Sequence, residues 1–150
     1  MDAVTFPSKD AVNFVNNNLI PQGINVNDDT TLDVYHHFWT PALTLLKNNG
    51  NKPQRTIEFL GMDEFTASML LGIAKLHPDA GEYDTAMIPL KSLPENLPES
   101  KTVLEAMYFR GVTHYKETNG PGKLKEEYEK LLSDYPDNVW TERVYSYCLL

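Results

Sequence analysis

The hydrophobic and polar positions of this 150-residue chain predict a mixed first half and a helical second half. After Ser8, a candidate N-cap, apolar residues recur at helical spacing as far as the stop at residues 21–23. Residues 24–26 alternate like a short strand, and residues 31–38 carry apolar side chains at helical spacing. This order predicts a helix, a strand and a second helix.

The strongest local signal in the chain is a β-hairpin. Residues 41–46 form an apolar run, residues 55–59 alternate between polar and apolar, and Asn49-Gly50 lies between the two runs. Asn-Gly tolerates the positive φ angles that tight hairpin turns require. We therefore expect two antiparallel strands, with Gly61 ending the hairpin.

From Met62 onward the apolar period changes to that of helices. The stripe that begins at Met62 ends at His77-Pro78, and the prolines after Leu90 are expected to end the next helix. The pattern predicts helices over residues 62–76, 83–90, 99–116 and 123–134, and a last helix from residue 140. We expect residues 1–78 to form the mixed domain and residues 79–150 the helical domain.

Charge and cysteine content narrow the classes of function. The chain has 13 Lys and Arg against 21 Asp and Glu, a formal net charge of −8. This argues against nucleic acid and membrane as partners, because no basic excess is present to displace phosphate counterions. The first residues have neither the basic nor the apolar region of an export signal, so we expect a cytoplasmic protein. The single cysteine, Cys148, excludes a disulfide within this chain.

Part of the helical half resembles a tetratricopeptide repeat. Residues 106–115 are similar to the first helix of such a repeat, and residues 131–137 to the end of its second helix. Gly72 and Gly111 take parallel places, although their spacing of 39 residues exceeds the ideal of about 34. The resemblance implies paired helices that approach closely at these glycines.

The mixed half resembles a thioredoxin-like domain. Residues 34–43, with Thr40-Pro41 between a predicted helix and a strand, are similar to the family's signature, and residues 3–15 resemble the stretch that follows its catalytic motif. The resemblance implies an α/β fold and a cis peptide bond at Thr40-Pro41. The whole order resembles bacterial thioredoxin-like proteins with C-terminal tetratricopeptide repeats.

The chain departs from that family at its start. Family members carry a strand and a C-x-x-C segment before the stretch that opens this sequence, so the resemblance implies an N-terminally truncated domain. Either the domain is shortened or another strand or chain fills the gap. Thiol–disulfide exchange needs an attacking thiolate and a resolving partner. Redox activity therefore does not carry over to this chain.

The resemblance points to one binding site. In the family, the residue before the cis-proline presents its backbone to an extended peptide, which makes Trp39, Thr40 and Pro41 the candidate peptide-binding residues. Cys148 has aromatic and aliphatic neighbours and is expected to be a small hydrophobic residue. No catalytic residue and no metal site are expected, because no histidine or cysteine cluster has ligand spacing. The adjacent His36 and His37 would point about 100° apart on a helix.

Two of the four histidines and a set of tyrosines complete the candidates. His77 lies at a helix end, where positive charge is favourable, and His114 lies on a repeat helix. The tyrosines either line a peptide groove or pack between helices, and packing is favoured. They are Tyr83, Tyr108, Tyr115, Tyr128 and Tyr135.

The function predicted from the sequence is a non-catalytic protein-binding or scaffold module without a cofactor, whose partner is a peptide or protein. The alternative is the C-terminal part of a thiol–disulfide oxidoreductase whose C-x-x-C lies upstream of Met1, so whether the chain is part of an enzyme stays open. A third class, an acidic inhibitor or immunity-type protein, agrees with the net charge but has no motif.

Overall fold

The computed structural model describes residues 1–25, 27–35 and 39–146. A short 3₁₀ turn, Pro78–Ala80, lies between the third and fourth helices. The elements are α1 (Lys9–Asn18), α2 (Asp29–Tyr35), β1 (Leu43–Leu45), β2 (Gln54–Thr56), α3 (Met62–Leu76), α4 (Tyr83–Asn96), α5 (Thr102–Thr118), α6 (Gly122–Asp134) and α7 (Val139–Tyr145).

The predicted thioredoxin-like α/β fold is wrong. The described residues form seven α-helices and one two-stranded sheet, without the larger sheet that such a domain requires. Ile24 and Asn25 of the predicted strand are irregular, and Val26 lies outside the described residues. Two strands of three residues bury little apolar surface. The largest buried side chains lie instead mostly on α3, α4, α5 and α6.

The hairpin prediction is confirmed. β1 and β2 pair antiparallel with Leu43 opposite Thr56 and Leu45 opposite Gln54, and Gly50 in the turn has a φ of +84°. The hairpin rests on α3 at Gly72, where an added Cβ would lie 2.7 Å from Cβ of Gln54. The glycine therefore lets strand and helix approach closely.

The N-terminal helix is held against α3 by aromatic packing. Ser8 caps α1, because its Oγ accepts a hydrogen bond of 3.1 Å from the backbone N–H of Ala11. The rings of Phe6 and Phe14 both meet Phe65 of α3 edge to face, with centroids 5.8 and 6.1 Å apart. The predicted first helix is thus confirmed, and its buried side faces α3.

The five helices from α3 to α7 pack in chain order. Each contacts the next, and the alternate helices α3, α5 and α7 also contact one another in sequence. Short connections between packed neighbours make successive helices antiparallel. One apolar core joins α3, α4 and α5 through Leu71, Leu90 and Ala106. A second joins α5, α6 and α7 through Met107, Leu131 and Val144.

The predicted end of α4 at residue 90 is wrong, since the helix continues to Asn96 through Pro89 and Pro94. A proline inside a helix removes one backbone hydrogen bond and costs about 3 kcal/mol. Here Leu90 and Leu93 are almost completely buried, and burying each contributes roughly 1.5–3 kcal/mol. The two burials together contribute about 3–6 kcal/mol, which is comparable to the cost of the two prolines, and the helix continues past Pro94.

The helices α5 and α6 approach closely at Gly111, one of the two glycines at which such an approach was expected. An added Cβ there would lie 3.1 Å from Cδ2 of Leu124 and 3.4 Å from its Cα. Gly72 differs, because its neighbour is the hairpin and not a helix. The division of the chain at residue 78 stays a prediction.

Candidate functional site

The segment predicted to bind peptide lies at the surface between α2 and β1. The side chain of Trp39 is 68% exposed, Thr40 is exposed and Pro41 is half-buried. The Thr40–Pro41 peptide bond is cis, in agreement with the sequence prediction. The peptide-binding role of these three residues stays a prediction.

Two adjoining grooves lie elsewhere, one between the start of α3 and the connection from α4 to α5, and the other between residues 54–60 and the helices α3 and α5. The first, which we call the acidic groove, has a volume of about 380 Å³ and is lined by residues 61–64 and 96–100. The second, which we call the strand groove, has a volume of about 370 Å³. Its lining consists of residues 54–60, Glu64, Ser68, Lys101, Thr102 and Glu105. Glu64 is common to the linings of both grooves.

Glu64 also fixes the geometry between the two grooves. Its two carboxylate oxygens accept hydrogen bonds from Oγ of Ser100, at 2.9 Å, and from the backbone N–H of Lys101, at 2.8 Å. Oγ of Ser100 in turn accepts a hydrogen bond of 3.1 Å from the backbone N–H of Thr102. The first N–H groups of a helix have no acceptor within that helix. The Glu64 carboxylate, which belongs to α3, accepts hydrogen bonds at the start of α5 and so caps it. The groove walls are held together by this cap.

Phe59 protrudes from the wall of the strand groove. It is 55% exposed, whereas the next residue, Leu60, is buried. The carbonyl of Leu60 accepts a hydrogen bond of 2.6 Å from Oγ1 of the buried Thr5. The backbone at Leu60 is therefore anchored, and the neighbouring Phe59 exposes its ring to solvent beside the strand groove.

Lys75 of α3 links the hairpin to α5 through two residues that line the strand groove. Its ammonium forms a salt bridge with Glu105 of α5 and donates a hydrogen bond of 2.8 Å to Oε1 of Gln54. It also lies 4.7 Å from the ring centroid of Phe109, a favourable cation–π distance. The charge of Glu105 is therefore compensated within the protein.

The acidic groove has a different charge balance. It carries three carboxylates, those of Asp63, Glu64 and Glu99, and no Lys, Arg or His among the residues that line it. Neither Asp63 nor Glu99 forms a salt bridge within residues 1–25, 27–35 and 39–146. The strand groove is mixed, because Arg55 and Lys101 line it together with three glutamates.

The remaining candidates from the sequence take other places. His77 Nδ1 lies 2.6 Å from an oxygen of Glu82, and His114 lies against Thr118. Tyr108 packs on Phe109 and on Trp140 of α7, and Tyr128 on Tyr145. For Tyr108 and Tyr128 this is the interhelix packing that the sequence favoured. His36, His37 and Cys148 lie outside the described residues.

Metal-ligating clusters and membrane-spanning helices are both absent from the described residues. No group of three or more His, Cys, Asp or Glu side chains there is placed to hold a metal ion. No helix in the same part of the chain is long and apolar enough to cross a membrane.

Sequence reasoning missed both grooves. Their walls come from segments that are distant along the chain, such as Glu64 and Ser100, and no local pattern predicts that contact. The only sequence signal is Phe59, an aromatic residue at the end of the alternating run 55–59. Comparison of the chain with protein-family models, with curated proteins and with solved structures found no match.

Proposed function

We propose that the chain is a non-catalytic peptide- or protein-binding module that binds its partner in the two adjoining grooves. The observation that carries this proposal is the position of Phe59, which stands half exposed at the edge of a groove of about 370 Å³. Large aromatic side chains next to concave surfaces are typical anchors of protein interfaces. The packing of α3 to α7 in chain order also supports a scaffold role, as in helical-repeat proteins.

The arrangement of the walls supports binding of an extended segment. Residues 54–60 run along one side of the strand groove, while the start of α5 forms the other side. The Glu64 cap and the Lys75 contacts hold both sides in place, so the surface is largely preformed. Preformed surfaces reduce the ordering cost of binding. The oxidoreductase alternative has no supporting observation among the described residues.

The test is selection of peptides from a random phage-displayed library against the full chain, followed by calorimetric affinities of the selected peptides. Full burial of a Phe side chain contributes about 1.5–3 kcal/mol, and Phe59 has about half of its surface left to bury. Phe59→Ala should therefore weaken binding by roughly 4- to 13-fold. The matched control is Ile88→Ala, since Ile88 is 70% exposed on α4 and lines neither groove.

A third variant separates this site from the one predicted by the sequence. Trp39→Ala should leave the affinity within about twofold of the unchanged chain, because Trp39 lines neither groove. Loss of binding in Trp39→Ala together with normal binding in Phe59→Ala would move the site to residues 39–41. A library that yields no binder would contradict the proposed function.

A further inference from the structure

We infer that Asn119 is a self-modifying asparagine, which is converted to aspartate and isoaspartate with the help of the Thr118 hydroxyl and the His114 imidazole. The sequence contains two Asn-Gly pairs, Asn49-Gly50 and Asn119-Gly120. A glycine that follows an asparagine has no Cβ, so its amide nitrogen can approach the asparagine side chain closely. The fold places the two pairs in different surroundings, and the second pair lies beside a chain of proton acceptors.

The reaction is an intramolecular cyclisation followed by hydrolysis. The amide nitrogen of Gly120 loses its proton and attacks Cγ of Asn119, which forms a new N–Cγ bond. The C–N bond of the side-chain amide then breaks, and its nitrogen takes up a proton and leaves as ammonia. Water opens the resulting succinimide ring at either carbonyl and leaves aspartate or isoaspartate. The net change is the gain of one water and the loss of one ammonia.

Asn119 ends α5, and the N–H group that follows it has left the helix. Asn119 is exposed and has a φ of +55°, and its own N–H donates to the carbonyl of Tyr115 at 2.8 Å. The N–H of Gly120 donates instead to a side chain, at 3.1 Å from Oγ1 of Thr118. The nitrogen that must lose its proton is therefore held by a hydroxyl group and not by a backbone carbonyl.

A histidine extends this contact by one further step. Oγ1 of Thr118 lies 2.9 Å from the backbone carbonyl oxygen of His114 and 3.4 Å from Nδ1 of its imidazole. The hydroxyl can donate its proton to either atom while its oxygen accepts from Gly120. A neutral imidazole with its proton on Nε2 has an acceptor at Nδ1. The Gly120 proton thus has a path to the Thr118 oxygen, as the hydroxyl proton passes to His114.

The length of the contact between Thr118 and His114 limits the gain in rate. Positioned general bases act at about 2.6–3.2 Å and contribute roughly 100- to 10,000-fold. Such hydrogen bonds are often long before the reaction and tighten as it proceeds, so a contact of 3.4 Å is compatible with a weaker effect. We expect this path to accelerate the reaction at Asn119 by about 5- to 10-fold.

The Asn-Gly pair of the hairpin is held in a different way and serves as the internal reference. The N–H of Gly50 donates to the carbonyl of Lys47 at 2.9 Å, and a peptide carbonyl passes no proton onward. The side chain of Asn49 is also restrained, because its Oδ1 accepts a hydrogen bond of 3.0 Å from the N–H of Asn51. Asn49 and Asn119 are both exposed, so access of water does not distinguish them.

Modification changes both the charge and the length of the connection between α5 and α6. Either product adds one negative charge to the formal net charge of −8. That charge lies at the C-terminal end of α5, where the helix dipole disfavours an anion. Isoaspartate also adds a methylene group to the backbone of the connection. The surface at this end of the two helices therefore changes as the protein ages.

The test follows both asparagines in the full chain during incubation at physiological temperature and neutral pH. Trypsin releases them in separate peptides, residues 117–123 and 48–55, in which mass spectrometry measures the loss of asparagine. Asn119 should react about 5- to 10-fold faster than Asn49 in the folded chain. In the chain unfolded with guanidinium the two rates should agree within about twofold, because the fold supplies the difference.

Variants of the two helping residues test the proton path, after circular dichroism has shown that each is folded. Thr118→Val and His114→Gln should each slow Asn119 to within about twofold of Asn49, without a change at Asn49. Thr118→Ser keeps the hydroxyl and should keep the rate. The double variant should be no slower than Thr118→Val, because both residues act on the same proton, whereas simple loosening of the helix end would add the two effects.

Two results would overturn the inference. Equal rates at Asn119 and Asn49 in the folded chain would show that the fold does not assist the reaction. An unchanged or faster reaction of Asn119 in Thr118→Val would show that the hydroxyl does not take up the Gly120 proton and at most restrains that N–H group.

Discussion

Replacing Gly72 with leucine tests the contact between the hairpin and α3, on which one wall of the strand groove depends. A Cβ at this position would lie 2.7 Å from Cβ of Gln54 and 2.9 Å from Cδ2 of Leu45. Gln54 Cβ is attached directly to the strand backbone, so rotation of a side chain cannot relieve the overlap. The hairpin itself must move away from the helix.

Two opposing effects set the size of the change. Leucine is a better helix former than glycine by roughly 0.8 kcal/mol, which favours the variant. Overpacking a closely packed contact costs about 1–3 kcal/mol, and the leucine atoms beyond Cβ place this change at the upper end. We expect Gly72→Leu to lower the free energy of unfolding by about 2 kcal/mol and the Tm by roughly 4–8 °C.

Urea unfolding followed by circular dichroism measures this loss. Gly122→Leu is the matched control, because Gly122 is also helical but a Cβ added there would have no neighbouring atom within 4 Å. The control should be unchanged or more stable by up to about 0.8 kcal/mol, because only the helix propensity changes there. Gly72→Leu with unchanged stability would refute the packing of the hairpin on α3.

Two further changes test hydrogen bonds of largely buried groups, one between α5 and α6 and one at Leu60. Glu127→Gln removes the negative charge and one of the two acceptors that Arg110 reaches at 2.6 and 2.8 Å, in a pair only 21% and 10% exposed, and should cost about 1.5–3 kcal/mol in urea unfolding. Glu126→Gln, in a largely exposed pair, should cost under about 0.5 kcal/mol, and equal effects would contradict this reasoning. Thr5→Val leaves the carbonyl of Leu60 without its donor and should cost about 1–3 kcal/mol in the same assay. An effect no larger than that of Thr30→Val, at an exposed position, would show that this bond does not anchor the segment.

Local patterns predicted individual elements well. The stripe from Met62 to Leu76 was sufficient to place α3, because periodicity, the glycine before it and the proline after it all agree. Asn49-Gly50 predicted the position of the hairpin turn, because the turn requires a positive φ and Gly50 adopts one. Ser8 marked the start of α1 through its capping hydrogen bond.

Features that depend on long-range packing were not predicted. The thioredoxin-like resemblance implied a sheet, but the apolar residues of the structure are buried mainly between helices. Pro94 suggested a helix end, yet the helix continues, and burial of Leu90 and Leu93 counteracts the cost of the proline. The grooves depend on the contact of Glu64 with Ser100, which only the fold brings together. The relationship to tetratricopeptide repeats stays a prediction.

The most direct test of the central claim is to map where a bound peptide lies. A photoreactive group on a peptide selected from the library is crosslinked to the full chain, and the modified residues are identified by mass spectrometry. We expect crosslinks at the groove residues 57–64 and 96–101, which disappear when the unlabelled peptide competes. Crosslinks at residues 39–41, or on the exposed face of α4 around Ile88, would contradict it.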